Sequence, residues 1–167
     1  ADANKTSLAL LFVDLDGFKQ INESLGHRAG DRILHEMAER LRALAGEHDV
    51  VGRLGGDEFL LLLTGRPDED SAARIAARVL QWLGQPWMLG VREASVTCSV
   101  GLAMYPEHGT VGTLISHAEA AMRQSKSTGG ASYSFFSASL IQDAREQAEL
   151  LRDLRVAITN QQLELFY

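Results

Sequence analysis

Two acidic pairs stand where apolar runs of this sequence break. Asp14 and Asp16 follow Leu8-Ala9-Leu10-Leu11-Phe12-Val13, while Asp57 and Glu58 sit between Val51-Gly52-Arg53-Leu54-Gly55-Gly56 and Phe59-Leu60-Leu61-Leu62-Leu63. An apolar run entering a glycine pair, two acids, and an apolar run leaving is the pattern of a β-hairpin with carboxylates at its tip. Gly55 and Gly56 are free to take positive φ, which suits a sharp turn that a ligand approaches closely. Side chains alternate along a strand, so Asp57 and Glu58 are expected to point in different directions, with at most one squarely facing a single cation. Asp14 and Asp57, brought together by adjacent strands, would offer two carboxylates. With a backbone carbonyl and phosphate oxygens these make the hard-oxygen set that Mg²⁺ prefers. In nucleotidyl transfer two such ions activate a hydroxyl and hold the leaving pyrophosphate. Solvated turn acids have the same appearance, so the spacing leaves an ordinary hairpin and a metal-nucleotide site both open.

The elements that must position these acids follow from the hydrophobic periodicity. The unbroken run 8–13 predicts a central strand covered on both faces, with its carboxylates emerging at the carboxyl end. Phe18 to Asn22 predicts a short helix whose amino-terminal amides, beside Gly17, form an anion site near Asp14 and Asp16. Gly26 to Asp31 is expected to break that helix and cap the next, which runs from about Asp31 to Ala45 with Ile33, Leu34, Met37, Ala38 and Leu41 inward. Its Arg32, Glu36, Glu39 and Arg40 are assigned to the polar side, and His35 to solvent. After the hairpin come a polar loop over 64–70, a helix with Ile75, Ala76, Val79, Leu80 and Leu83 inward, and a strand with Val96, Cys98, Val100 and Leu102 alternating, expected to bury one face and to end near Tyr105-Pro106. A third helix is expected over 111–127, with Lys126 near its carboxyl end and Gly129-Gly130 stopping it.

Composition sets the outer limits. At 167 residues, 46% hydrophobic, the chain has room for one domain with a sizeable core. The net charge of −6 argues against a nucleic-acid polymer as partner, while leaving room for a nucleotide held by a metal. A single cysteine, Cys98, cannot form an internal disulfide and fits a reducing compartment. No apolar stretch approaches a membrane span, so a soluble, cytoplasmic piece is expected, with any membrane anchor of the parent lying upstream. The lack of an initiator Met suggests a piece of a longer protein.

Gly55-Gly56-Asp57-Glu58-Phe59 spells the signature of the GGDEF family, the diguanylate cyclases. Asp14-Leu15-Asp16-Gly17-Phe18-Lys19, Ile21-Asn22, Gly26-His27, Gly30-Asp31, Ser99-Val100-Gly101 and Tyr105-Pro106 resemble other motifs of that family in order and spacing, over residues 7 to 136. The stretch from Phe136 onward resembles the connector into an EAL phosphodiesterase domain. The resemblance implies three segments: a GGDEF domain over 1–137, a connector helix over 138–162, and the first strand of a truncated EAL domain over 163–167. The implied fold is α/β (α+β), a central, mostly antiparallel sheet flanked by helices, of the nucleotidyl-cyclase and polymerase-palm type.

The same resemblance implies roles. Asp14, Asp57 and the Leu15 carbonyl would bind Mg²⁺ or Mn²⁺. Asn22 and Asp31 would contact the guanine edge, with His27 close to the base. Gly17, Phe18, Lys19 and Lys126 would hold phosphates, with Lys19 also stabilising the transition state. Asp57 or Glu58 would help deprotonate the ribose 3′-hydroxyl, the choice between them staying open. Each domain would bind one GTP, and two copies face to face would make cyclic di-GMP. The partners implied are therefore GTP, the product, a second copy of the domain and the parent's own EAL domain. Several positions depart from the family pattern. Gly46 replaces the arginine of the Arg-x-x-Asp product-inhibition motif whose acid is Asp49, Gly130 replaces an arginine four residues after Lys126, and Glu119 and Arg123 replace the usual acid and tyrosine. These departures keep a second reading in view, a GTP-binding module that regulates an attached phosphodiesterase without turnover.

Overall fold

The computed structural model describes residues 7–89, 92–160, 162 and 164. The chain divides into two compact units, with the boundary between Phe136 and Ser137.

In the first unit, β1 (Leu8–Leu15) is the middle strand of a five-stranded sheet. It is flanked on one side by β3 (Glu58–Leu63) and then β2 (Val50–Gly55), and on the other by β6 (Cys98–Tyr105) and then β7 (Tyr133–Phe135). All neighbours pair antiparallel except β6 and β7, which are parallel. The sheet is therefore mixed and mostly antiparallel, as expected. β1 reads as an unbroken apolar run because both of its faces are covered. Ala9, Leu11, Val13 and Leu15 enter a core with Phe59, Leu61, Val100 and Leu102. That core is closed by Ile33, Met37 and Leu41 of α2 (His27–Leu44) and Ala76, Val79 and Leu83 of α3 (Glu69–Leu83).

The opposite face of the sheet carries α4 (Leu114–Ser127), which lies on β6 and β1. It approaches closely because β6 has Gly101 there: a Cβ at that position would stand 2.0 Å from the Ala118 carbonyl oxygen and 2.2 Å from the Met122 nitrogen.

Some expectations shift. α1 runs over Phe18–Leu25, a turn longer than its pattern suggested. α2 begins at His27 with Gly26 as N-cap, so Asp31 lies inside the helix and does not cap it. Gly26, at φ 83, makes the break between the two helices alone. α3 starts within the expected loop because Asp68 forms a capping box, accepting from the Ser71 amide at 2.8 Å while Ser71 Oγ accepts from the Asp68 amide at 3.0 Å. Arg40, assigned to the polar side of α2, is largely covered. It lies 4.0 Å from the Trp87 ring centroid and donates to the carbonyls of Trp82, Gln85 and Pro86. Those contacts anchor a short hairpin, β4 (Trp87–Leu89) and β5 (Arg92–Ala94), that the sequence pattern did not suggest.

The second unit contains α5 (Ala138–Thr159), ending three residues before the 138–162 given to the connector helix. The strand expected over 163–167 lies outside the described residues apart from Glu164. Among the described residues no helix is long and apolar enough to cross a membrane.

Candidate active site at the carboxyl end of the central strand

Asp14 is the penultimate residue of β1, and the strand register decides what it meets. Glu58 is its partner on β3 and Ser99 its partner on β6. Residues paired across antiparallel strands share a face, so Asp14 and Glu58 both point to the α4 side of the sheet. Asp57 occupies the turn just before β3, next to Gly56 at φ 51. Arg53 holds that turn closed by donating from Nε and Nη2 to the Gly56 carbonyl at 3.0 and 2.6 Å. The expected divergence of Asp57 and Glu58 thus takes a definite form, with Glu58 beside Asp14 and Asp57 turned toward α1.

Asp14 is buried, and its Oδ1 accepts a hydrogen bond from Nζ of Lys126 in the last turn of α4. Burial pushes the Asp14 carboxyl above its usual range, the Lys126 hydrogen bond and charge oppose that rise, and the charges of Asp57 and Glu58 add to it. Burial also pushes the Cys98 thiol, adjacent to this cluster on β6, up to about 12, with the charges of Asp16 and Asp14 reinforcing it. Cys98 is accordingly an inert core residue.

Asp16, two residues on, does something else. Its Oδ2 accepts from the Thr97 hydroxyl at 2.7 Å and the Ala131 amide at 3.0 Å, and its Oδ1 accepts from the Ser99 hydroxyl at 2.7 Å. It ties the end of β1 to the start of β6 and to the loop after α4. That loop carries Gly130 at φ +73, where a Cβ would stand 3.0 Å from Asp16 Oδ2.

In front of the acids lies a cleft of about 390 Å³ lined by Phe18, Lys19, Asn22, Glu23, His27 and Asp57. The structure therefore brings together five of the residues singled out from the sequence. Asn22 is pressed against α2, since a Cβ at Gly30 would stand 2.0 Å from its Oδ1. The cap of α1 is Gly17, at φ 70, with no side-chain cap, so the first amides of the helix face outward without a side-chain acceptor. Lys19 is exposed and pairs with Glu23 at 3.8 Å. Asp31 stands apart, lining a groove of about 410 Å³ between α2 and the hairpin with His35, Arg42, Arg53 and Phe59. Leu15, buried, ends β1 opposite Cys98. Arg123 pairs with Glu119 on the exposed side of α4.

Oxygen donors are thus gathered at one end of the sheet, as a hard cation requires. They are not closed to ligand spacing: among the described residues, the group of three metal-capable side chains within 4.8 Å of one another is Glu69, Glu107 and His108. That group lies at the opposite end of the sheet, past Tyr105, which pairs with Leu8. His108 Nδ1 there accepts from the Met104 amide at 3.0 Å.

The mostly antiparallel sheet with two helices on one face, a third on the other and acids at the end of its central strand defines a palm-like nucleotidyl-cyclase fold. The family described as "Diguanylate cyclase, GGDEF domain" matches residues 1–132, and the chain belongs to it. It is 44% identical over 160 residues to the bifunctional diguanylate cyclase/cyclic di-GMP phosphodiesterase MucR of Pseudomonas aeruginosa, covering 95% of this chain and 23% of that protein. It is 39% identical over 161 residues to the cyclic di-GMP phosphodiesterase NbdA of the same organism, covering 96% of this chain and 20% of that protein. The chain thus spans less than a quarter of the length of these relatives. Among solved structures it is similar to the GGDEF domain of YfiN or TpbB from Pseudomonas aeruginosa, with a TM-score of 0.79 and 38% identity over 82% of this chain and 86% of that one. An EAL/GGDEF domain protein from M. capsulatus matches with a TM-score of 0.75 and 41% identity, over 81% and 88% of the two chains.

Proposed function

We propose that this domain is a diguanylate cyclase half-site, condensing two GTP molecules into cyclic di-GMP with release of pyrophosphate when two copies face one another. The observation that carries the reading is the gathering at one end of the sheet of Glu58 opposite Asp14, with Asp57 in the wall of a cleft shared with Asn22, Phe18 and Lys19. Mg²⁺ or Mn²⁺, when bound, supplies charge neutralisation for the phosphates and lowers the pKa of a coordinated hydroxyl. Asp14, Asp57 and the Leu15 carbonyl would hold it. The open amides beginning α1 and the ammoniums of Lys19 and Lys126 suit a triphosphate. Asn22 suits the guanine edge with His27 beside it, and Asp31 would join them by reaching round from the adjoining groove. Asp57 or Glu58 takes the 3′-hydroxyl proton. Neither half-site holds both the attacking hydroxyl and the α-phosphate it attacks, so two apposed domains are required.

Residues 1–137 form the catalytic domain in this reading, 138–162 a connector, and 163–167 the first strand of an EAL domain. MucR, named as a bifunctional diguanylate cyclase/cyclic di-GMP phosphodiesterase, supports the presence of both activities in a parent of this kind. A second reading, a GTP-holding module that regulates an attached phosphodiesterase, is favoured by Gly130 standing where the family carries a phosphate-binding arginine, and by NbdA being named as a phosphodiesterase alone.

The test is GTP turnover with Mg²⁺ over a range of protein concentrations, the product identified by mass. Rate per molecule should rise with concentration, and Asp57→Ala should lower it by about 10²-fold or more while the circular-dichroism spectrum stays unchanged. A dimer forced by an amino-terminal coiled coil that binds GTP yet makes no cyclic di-GMP would establish the regulatory module instead.

A further inference from the structure

We infer that Lys126 is an internal counter-cation for Asp14, so that the site takes a divalent cation well only together with nucleotide phosphate. The inference rests on the metal-site reading above.

Asp14 has 9% of its side chain exposed and faces Glu58 across the strand pair, with Asp57 close by. A carboxylate so enclosed and so surrounded by like charge needs a cation beside it. Lys126 fills that need, its ammonium donating to Asp14 Oδ1. Among the described residues Asp14 is the one carboxylate within ion-pair distance of Lys126. A free divalent ion would therefore have to displace the ammonium from its present carboxylate partner, or sit against it and be repelled. The two partners differ in freedom. Asp14 is fixed on the central strand, whereas Lys126 is 38% exposed on the last turn of α4, so the lysine is the one able to swing outward. A nucleoside triphosphate supplies the anion that receives it. Cation and nucleotide then favour each other's binding, and by linkage the coupling is reciprocal.

The test is Mn²⁺ binding without nucleotide, by electron paramagnetic resonance of the free ion, on the full 167-residue chain. Lys126→Gln should bind Mn²⁺ about tenfold or more tightly than wild type, within the usual range of site-to-site coupling. Lys126→Arg keeps the charge and should bind as wild type does. Adding Asp14→Asn to Lys126→Gln should abolish the gain. Without metal, Lys126→Gln should melt below wild type, and Mn²⁺ should restore it. If Lys126→Gln does not fold, Lys126→Met, which keeps the apolar stem, carries the same comparison. Equal or weaker Mn²⁺ binding in the neutral variant, with Asp14→Asn still weakening it, overturns the counter-cation inference and leaves the metal site standing. Mn²⁺ binding that ignores Asp14→Asn in every background overturns the metal-site reading itself.

Discussion

Gly101→Ala is the smallest change expected to dislodge α4 and the site residue it carries. The added methyl would stand 2.0 Å from the Ala118 carbonyl oxygen and 2.2 Å from the Met122 nitrogen, where ordinary contact begins at 3.4 Å. About 1.4 Å of clearance, the difference between 3.4 and 2.0 Å, has to be made. Both obstacles are helix backbone, so no side chain can rotate away, and Gly101 is held from both sides by its pairing with Phe12 and Ser134. The helix must move as a body. A cost near the top of the overpacking range, about 3 kcal/mol, is expected. For a unit of this size that is a fall in melting temperature of roughly 10 °C. Lys126 follows Met122 by one helical turn, so the same displacement carries its ammonium out of reach of the phosphates and should weaken GTP binding in parallel. Thermal unfolding with a nucleotide-binding titration measures both. Gly52→Ala is the control, because its Cβ would meet nothing within 4 Å, and it should stay within about 1 kcal/mol of wild type. A Gly101→Ala domain melting within about 2 °C of wild type would refute the reasoning.

Gly130→Arg, which returns the family's usual residue, should destabilise the domain rather than improve turnover, because an arginine there must adopt φ +73 with its Cβ 3.0 Å from Asp16 Oδ2; a melting curve and a turnover assay check both halves. Asp49→Ala should lower stability while leaving any product inhibition untouched. Asp49 accepts from the amides of Gly46 and Thr64, both at 2.9 Å, and with Gly46 in place of arginine it serves the turn rather than a ligand; inhibition lost with Asp49 would contradict this. Asp68 caps α3, and its hydrogen bonds from Ser71 hold its carboxyl below the usual range. The depressed folded value means its contribution is present above the ordinary aspartate value of 3.8 and lost as pH falls through the lower folded one. The stability gap between wild type and Asp68→Ala should therefore be constant near neutrality and shrink in that acid window, as melts across pH would record.

What the sequence made legible was local. The run 8–13 suggested a strand covered on both faces, and the glycine pair before Asp57 suggested a turn, which the structure makes at Gly56 with Gly55 ending β2. The inward faces of α2, α3 and α4 followed from periodicity. The missing parts depend on partners distant in the chain. Nothing near Asp16 announces Thr97, Ser99 and Ala131, so its likeness to Asp14 hid a different task. The facing of Glu58 and Asp14 is a register, visible only once β1 and β3 pair. Arg40 looked polar by its place opposite the apolar face of α2, yet its guanidinium is used by a tryptophan and three carbonyls some forty residues later. Asp31 followed a glycine and looked like a cap, but Gly26 had already supplied the break.

The three tethers on Asp16 span 81, 83 and 115 residues of chain, and this gives the site a history as well as a shape. At about 5–20 residues per second, a ribosome needs roughly 6–23 s to go from Asp16 to Ala131. For most of that interval the middle strand of the sheet exists without its β6 neighbour, and until Lys126 is made the carboxylate of Asp14 exists without its lysine. A nascent chain arrested anywhere before the end of α4 therefore presents an unquenched acidic strand end beside a bare apolar face. That is the kind of surface quality-control chaperones hold.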